Sequence, residues 1–262
     1  MKQTPKVSII TVVYNGITHL EQTIQSVLDQ NYDNIEYIII DGGSTDGTVE
    51  LIRKYDDQIA YWVSESDAGI YDAMNKGIVK ATGDIVGLIN ADDWYEEEAV
   101  SVVVDTFTKT DADVVHGSMR IIKESGESFV KASLINIDNL KKGMLLNHPT
   151  VFVKISLYEK YGMFDTSYRI VADWELMMRW FLKDVHFVAT PETLANFRMG
   201  GVSSEHLKKS FKEKHRMRKE LAVYRTIDWY YLYDTLKSVL PAEKLLNISL
   251  YRQKNRALSV NL

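Results

Sequence analysis

The stretch IVGLINADDWYEEEAV (Ile85–Val100) ends an apolar run in Asn90, Asp92 and Asp93. Two carboxylates and an amide make an oxygen-only donor set, which suits a hard divalent cation such as Mg²⁺ or Mn²⁺. Two adjacent acids exceed what capping a helix requires, so Asp92 is the expected metal ligand. Asp93 reads equally well as the N-cap of a helix through WYEEEAV. Asp173, in VADWELMMRW, reads from its position as an N-cap for the helix it precedes. Asp41 stands between an apolar run and a Gly-rich turn in IIIDGGSTDGT (Ile38–Thr48). It is a candidate to hydrogen-bond a base or ribose, or to form the turn ahead of Gly42-Gly43. Glycines at 42, 43 and 47 do not make G-x-G-x-x-G, and no G-x-x-x-x-G-K-[ST] occurs, which disfavours a dinucleotide fingerprint and excludes a P-loop.

These residues need elements to hold them. VSIITVV (Val7–Val13), IEYIII (Ile35–Ile40), IAYWV (Ile59–Val63) and DIVGLI (Asp84–Ile89) are short β-rich runs. Between them lie helical patterns that align Leu20, Ile24, Val27 and Leu28, then Val49 and Ile52, then Ile70, Met74, Gly77 and Ile78. Strand–helix alternation with short connections predicts an α/β fold, with a mostly parallel sheet flanked by helices. Ligands of such sheets sit beyond the carboxyl ends of the strands, where Tyr14-Asn15, Asp41–Ser44, Ser64–Asp67 and Asn90–Asp93 gather. After Glu96, DVVHGSMRII and SFVKA read as a strand pair. SLYEKYGMF and DWELMMRWFLK read as helices, and VHFVAT and LANFR as short strands. The expected organisation is one catalytic domain over 1–204 and a basic, aromatic-rich helical extension over 205–262.

The chain has 262 residues, 45% apolar and 26% charged, enough for a sizeable core, and no cysteine, which excludes disulfides, thiolate metal sites and a Cys nucleophile. No run of 18 apolar residues suggests a spanning helix. The net charge of −5 hides an asymmetry: residues 205–262 hold 13 Lys/Arg against 6 Asp/Glu, and the remainder 18 against 30. The segment 206–224, basic with Leu207, Phe211, Leu221 and Val223, has the composition of a helix that lies on anionic lipid, of a solvated face, or of a contact with a second subunit. A cytoplasmic location, peripheral at the inner face of the cytoplasmic membrane, is expected. No nucleic-acid motif accompanies the charge.

Taken in order, VSIITVVYNG, LDQNY, IIDGGSTDGT, DAGIYDAMNKGI, TGDIVGLINADD, YEKYGMFD and ADWELMMRW resemble the family-2 glycosyltransferases with a GT-A fold, over about Lys6 to Ser204. The nearest likeness is to bacterial enzymes of capsule, O-antigen or exopolysaccharide assembly. The resemblance implies an inverting, metal-dependent transfer of a sugar from a nucleotide-diphosphate donor, a UDP-sugar foremost, to a hydroxyl of a glycan or lipid-linked acceptor. It implies Val12 and Tyr14 beside the base, with Asp41, Gly42 and Asp67 around it and Asn75 in the donor site. It also implies Asn90-Ala91-Asp92 as the metal-binding D-x-D and Asp173 as the base. FRMGGVSSEH resembles the loop over the diphosphate, which offers Arg198, Ser203 and His206, the last beside Asp92 at the metal.

Three positions depart from the family pattern. Gly42 stands for a second acid, Met74 for an arginine, and Asn90 for the first aspartate of D-x-D, where a neutral amide is suited to bond ribose or a sugar hydroxyl. His148, Tyr71, Asp72, Trp94 and Trp174 are weaker candidates for the sugar cleft, with core packing the default for both tryptophans. Two rival functions follow. One is a non-catalytic nucleotide-sugar or glycan-binding module. The other is a sugar-1-phosphate nucleotidylyltransferase, which would need an Arg-containing Gly-rich loop where this chain has VVYNGITHL.

Overall fold

The computed structural model describes residues 4–200 and 207–223. Four parallel strands, β1 (Val7–Val13), β2 (Ile35–Asp41), β3 (Tyr61–Ser64) and β4 (Ile85–Asn90), come from the first third of the chain. Between them run α1 (Leu20–Leu28), α2 (Thr48–Arg53) and α3 (Ile70–Lys80). β1 is buried at every position, as a β-branched run covered on both faces must be. On α1, Leu20, Ile24 and Val27 are buried at helical spacing, and on α3 Ala73, Met74, Gly77 and Ile78 are. Ile70, expected on the buried side, is instead 44% exposed, because it opens the first turn of α3 beyond the edge of the sheet contact.

The remaining elements widen this sheet. They are β5 (Trp94–Tyr95), α4 (Ala99–Lys109), β6 (Val114–Ile122), β7 (Ser128–Lys131), β8 (Phe152–Lys154), α5 (Ile155–Tyr161), α6 (Ala172–Phe181) and β9 (Phe187–Arg198). The sheet has nine strands in the order β3-β2-β1-β4-β8-β6-β9-β5, with β7 paired to β6. It is parallel across β3-β2-β1-β4. Beyond β4 it is mixed: β8 runs antiparallel to β4 and β6, while β9 runs parallel to β6 and antiparallel to β5. The two short strands expected at VHFVAT and LANFR are one long strand, carried past Pro191 by register shifts against β6 between His116 and Met119.

Register sets the functional edge. Val13 pairs with Asp41, Val12 with Asn90, and Asp41 with Ser64, so the carboxyl ends of β1, β2, β3 and β4 stop in one row. Strand periodicity and short crossovers thus bring four sequence-distant polar clusters together.

The chain divides into two units, Met1–Ser203 and Ser204–Leu262. The second is described through α7 (Leu207–Glu220), which holds seven Lys/Arg against two Glu. Among the described residues no helix is long and apolar enough to cross a membrane.

Candidate active site

The row of strand ends is tied together by its own loops. Asn15 at φ +50° donates its N–H to Ser44 Oγ (2.7 Å) and accepts at Oδ1 from Thr45 N (2.9 Å). Asp41 is fully buried. Its Oδ2 accepts from Gly43 N (3.1 Å), Ser44 N (2.9 Å) and Ser64 Oγ (2.6 Å), and its Oδ1 from Ser44 Oγ. Of the two roles open to it, this carboxylate fills that of the turn-former. Val12 is buried as well, and neither residue lines the cleft of about 590 Å³ above the ends of β1, β2 and β3. Tyr14, Gly42 and Asp67 do line it, together with Arg169, which sequence reasoning did not single out. At Gly42 a Cβ would stand 2.5 Å from Asp67 Oδ2 and 3.4 Å from Tyr14 Cδ2, so only glycine lets these two walls close in.

Beyond the end of β4 the polar atoms are unsatisfied. Asn90 Oδ1 and Asp93 Oδ2 are buried without a hydrogen-bond partner among the described residues. Asp92 is half-buried and makes no hydrogen bond or ion pair among the described residues. Asp93 is fully buried and accepts at Oδ1 from Arg198 N (3.1 Å). Burial, and after it the Asp92 charge, raise the Asp93 carboxyl to about 8 against the opposing pull of Arg198. Its reading as a helix cap is overturned: Trp94-Tyr95 is strand β5, paired with Asn196 and Ala195, and α4 starts only at Ala99 with Glu98 before it. Apolar Tyr95, 3% exposed, fills the sheet there, so the chain extends where the sequence suggested helix.

This oxygen-only set fits a hard divalent ion, since orphaned buried oxygens and neighbouring acids both call for positive charge. Among the described residues no three Asp, Glu, His or Cys side chains enclose a metal by themselves. An incomplete set of that kind leaves ligand positions to phosphate oxygens. Arg198 stands beside it, with its guanidinium 5.0 Å from the Trp94 ring centroid and Nη2 donating to Gln22 Oε1 (2.9 Å). Thr23 on α1 donates to the carbonyls of Ala91 (3.0 Å) and Asp93 (2.6 Å), fixing the turn that carries Asp92. Ser203 and His206 lie outside the described residues.

Asp173 sits in the first turn of α6, half-buried. The N-cap of α6 is Val171, without a side-chain cap, so Asp173 does not cap it. Trp174 N donates to Asp173 Oδ1 (2.8 Å), and the Tyr71 hydroxyl lies 2.9 Å from Ile170 O and 3.3 Å from Asp173 Oδ1. Tyr71 stacks on Phe164 (5.4 Å, 27°), and His148 meets the same ring edge-on at 6.1 Å. Burial pushes the His148 imidazole below its usual value while the Asp173 charge opposes it. Asn75 closes this chain of contacts: its Nδ2 donates to Phe164 O (2.9 Å) and its Oδ1 accepts from Phe164 N (3.0 Å). Bonded at both ends of its amide, Asn75 locks the ring under Tyr71, while half-buried at the edge of a cavity with Asp72 and Lys76. Trp174 belongs to the core, 1% exposed, with Nε1 donating to Leu140 O (2.8 Å). Met74 is buried, and Lys76 pairs with Glu65 (2.8 Å) and Asp72 (3.7 Å).

The chain is similar to known proteins in sequence and in fold. The family model described as glycosyl transferase family 2 matches residues 8–169. An uncharacterized glycosyltransferase of Mycobacterium tuberculosis is 33% identical over 197 residues, covering 68% of this chain and 70% of that protein. A PGL/p-HBAD biosynthesis glycosyltransferase of Mycobacterium bovis is 26% identical over 230 residues, covering 84% and 87%. Among solved structures, S. aureus TarS 1-349 in complex with UDP-GlcNAc superposes with a TM-score of 0.70 at 15% identity, covering 88% of this chain and 73% of that one. A mannosyltransferase from Pyrobaculum calidifontis in complex with GDP-Man and Mn²⁺ does so with a TM-score of 0.63 at 18% identity, covering 95% and 81%. At these identities the structural likeness speaks for the GT-A fold.

Proposed function

Since this chain belongs to glycosyl transferase family 2 and is a glycosyltransferase, we propose that it transfers a sugar, with inversion, from a nucleotide-diphosphate donor to a hydroxyl of a glycan or lipid-linked saccharide in surface polysaccharide assembly. UDP-GlcNAc in the TarS complex and GDP-Man in the mannosyltransferase complex support the donor class, and a UDP-sugar is the favoured donor. Membership of an enzyme family sets aside the reading of a non-catalytic binding module.

The observation that carries the mechanism is the half-buried Asp173 carboxylate, oriented by Trp174 N and Tyr71. An acceptor hydroxyl must lose its proton as it attacks the anomeric carbon, and a fixed carboxylate at that point removes it, an effect worth about 10²–10⁴-fold. The nucleotide lies in the cleft of Tyr14, Gly42 and Asp67, with its diphosphate toward Asn90 and Asp92. Asp92, with the Asn90 and Asp93 oxygens, would hold a Mg²⁺ or Mn²⁺ ion, whose charge would stabilise a departing diphosphate. Arg198 adds a fixed cation at the same side, and Ser203 and His206 follow it in the chain. The basic helix α7 is suited to rest on anionic lipid, which fits a lipid-linked acceptor. A homodimer through the same helix is the alternative partner.

Asp173→Asn tests the mechanism. It is expected to lower kcat by about 10²–10⁴-fold while leaving UDP binding, followed by calorimetry with Mn²⁺, unchanged. An Asn variant that turns over at the wild-type rate would remove Asp173 from the role of base.

A further inference from the structure

Tyr71 and Asn75 lie at i and i+4 on α3, so they share a helix face, and both grip Phe164. Asn75 Nδ2 donates to Phe164 O (2.9 Å) and its Oδ1 accepts from Phe164 N (3.0 Å), while Tyr71 stacks on the ring at 5.4 Å and 27°. Phe164 is buried, so the core fixes this platform. The phenol held on it reaches a residue from α6: its oxygen lies 2.9 Å from Ile170 O and 3.3 Å from Asp173 Oδ1. Trp174 N donates to the same Oδ1 at 2.8 Å. Among the described residues no donor meets Asp173 Oδ2. The two oxygens of this half-buried carboxylate are therefore unlike.

We infer that Tyr71 is a positioning residue for sugar transfer: its hydroxyl holds Asp173 Oδ1 and thereby presents Oδ2 to the acceptor. The inference rests on the reading of Asp173 as the base. The terminal torsion of an aspartate is broad, so a carboxylate without partners offers its oxygens in many directions. Donors on one oxygen narrow that torsion and leave the lone pairs of the other for an incoming O–H. In the step itself the acceptor O–H bond breaks and its proton passes to Asp173 Oδ2. The acceptor oxygen bonds to the anomeric carbon. The bond from that carbon to the phosphate oxygen breaks, and its electron pair leaves with the nucleoside diphosphate. Displacing a reacting group by about 1 Å costs on the order of 10²-fold in rate. Trp174 N is a backbone group, so the Tyr71 hydroxyl is the part of this grip that a side chain supplies.

Nucleotide release from UDP-GlcNAc and from GDP-Man, each with Mn²⁺ and with water as the acceptor, follows the step in the full chain. Tyr71→Phe keeps a ring on Phe164 and removes the hydroxyl. It should lower kcat by about 10–10²-fold and change the donor KM by less than about 3-fold. In an Asp173→Asn background the same substitution should change the residual rate by less than about 2-fold, because residues that act as a unit are not additive. Tyr71→Met fills the space over Phe164 without a hydroxyl, and carries the same cycle should the phenylalanine variant fail to fold. A wild-type kcat for Tyr71→Phe overturns the inference. So does an equal fold-loss in both backgrounds, which a merely structural role would produce, or a loss confined to KM. An Asp173→Asn enzyme that works at the wild-type rate instead overturns the reading of the base. No release from either donor by the unsubstituted chain overturns the donor reading, and the inference with it.

Discussion

The two ends of the parallel strands handle buried acids in opposite ways. At the amino end, Glu36 accepts from Lys6 Nζ (2.7 Å), Ser8 Oγ (2.5 Å), Thr82 N (2.8 Å) and Thr82 Oγ1 (2.6 Å). Burial alone would push that carboxyl up, but these bonds outweigh it and bring it down to about 2. At the carboxyl end, among the described residues, Asp93 has one bond, from Arg198 N, an orphaned Oδ2 and a carboxyl raised to about 8. Asn90 Oδ1 is orphaned beside it. One sheet therefore has an electrostatically complete end, which stabilises the fold, and an end left incomplete among the described residues, which the proposed donor and cation would complete. Unsatisfied buried oxygens cost stability in the free protein, and proteins retain such costs at functional sites.

Substitutions that should affect one end and spare the other sharpen this contrast. The largest effect is expected for Asp92→Ala, a fall in kcat/KM of about 10²–10³-fold with loss of Mn²⁺-dependent UDP binding. Its thermal unfolding should match the wild type, because among the described residues Asp92 makes no hydrogen bond to lose. Retained Mn²⁺-dependent binding would break the assignment of that end. Next is Glu36→Gln, expected to cost on the order of 3 kcal/mol in urea unfolding at pH 7 without touching kcat.

The pH dependence of Glu36 follows from its depressed value. A carboxyl ionised more easily in the folded than in the unfolded protein gives its full stabilisation above about 4.5. It loses that stabilisation as pH falls from there toward about 2. The wild type should therefore lose its advantage over Glu36→Gln across that window, and a constant difference between the two would argue against the network. The smallest effect is expected for Asp93→Asn in metal-free protein at pH 7, within about 1 kcal/mol of wild type. There the native carboxyl is already protonated, and an amide replaces it without loss of charge. A cost equal to that of Glu36→Gln would mean the two ends do not differ.

Much of this site was legible along the chain, for a local reason. An apolar run that stops in Asn90-Ala91-Asp92 or in Asp41-Gly42-Gly43 marks a strand end and its loop, and alternation with helices places such ends on one edge. Asp173 was marked as the base only by the family resemblance, since a carboxylate in the first turn of a helix commonly serves its cap or dipole. What stayed hidden was pairing over distance. Asn75 meets Phe164 at a separation of 89 residues, Tyr71 meets Asp173 at 102, and Arg169 meets Ala68 at 101. Strand β5 was hidden too, since two residues show no periodicity and Trp94-Tyr95 extends only because β9 is there to pair with it.

By itself, the sequence determined the α/β character, the four polar strand ends and the chemical types available at each, because periodicity and residue chemistry are local properties. Only the tertiary structure decided which polar groups are already satisfied, because that depends on partners far away in the chain. It turned Asp41 inward, tied Asn75 to Phe164, left Asn90 and Asp93 with oxygens unpaired among the described residues, and brought Arg169 to the mouth of the cleft.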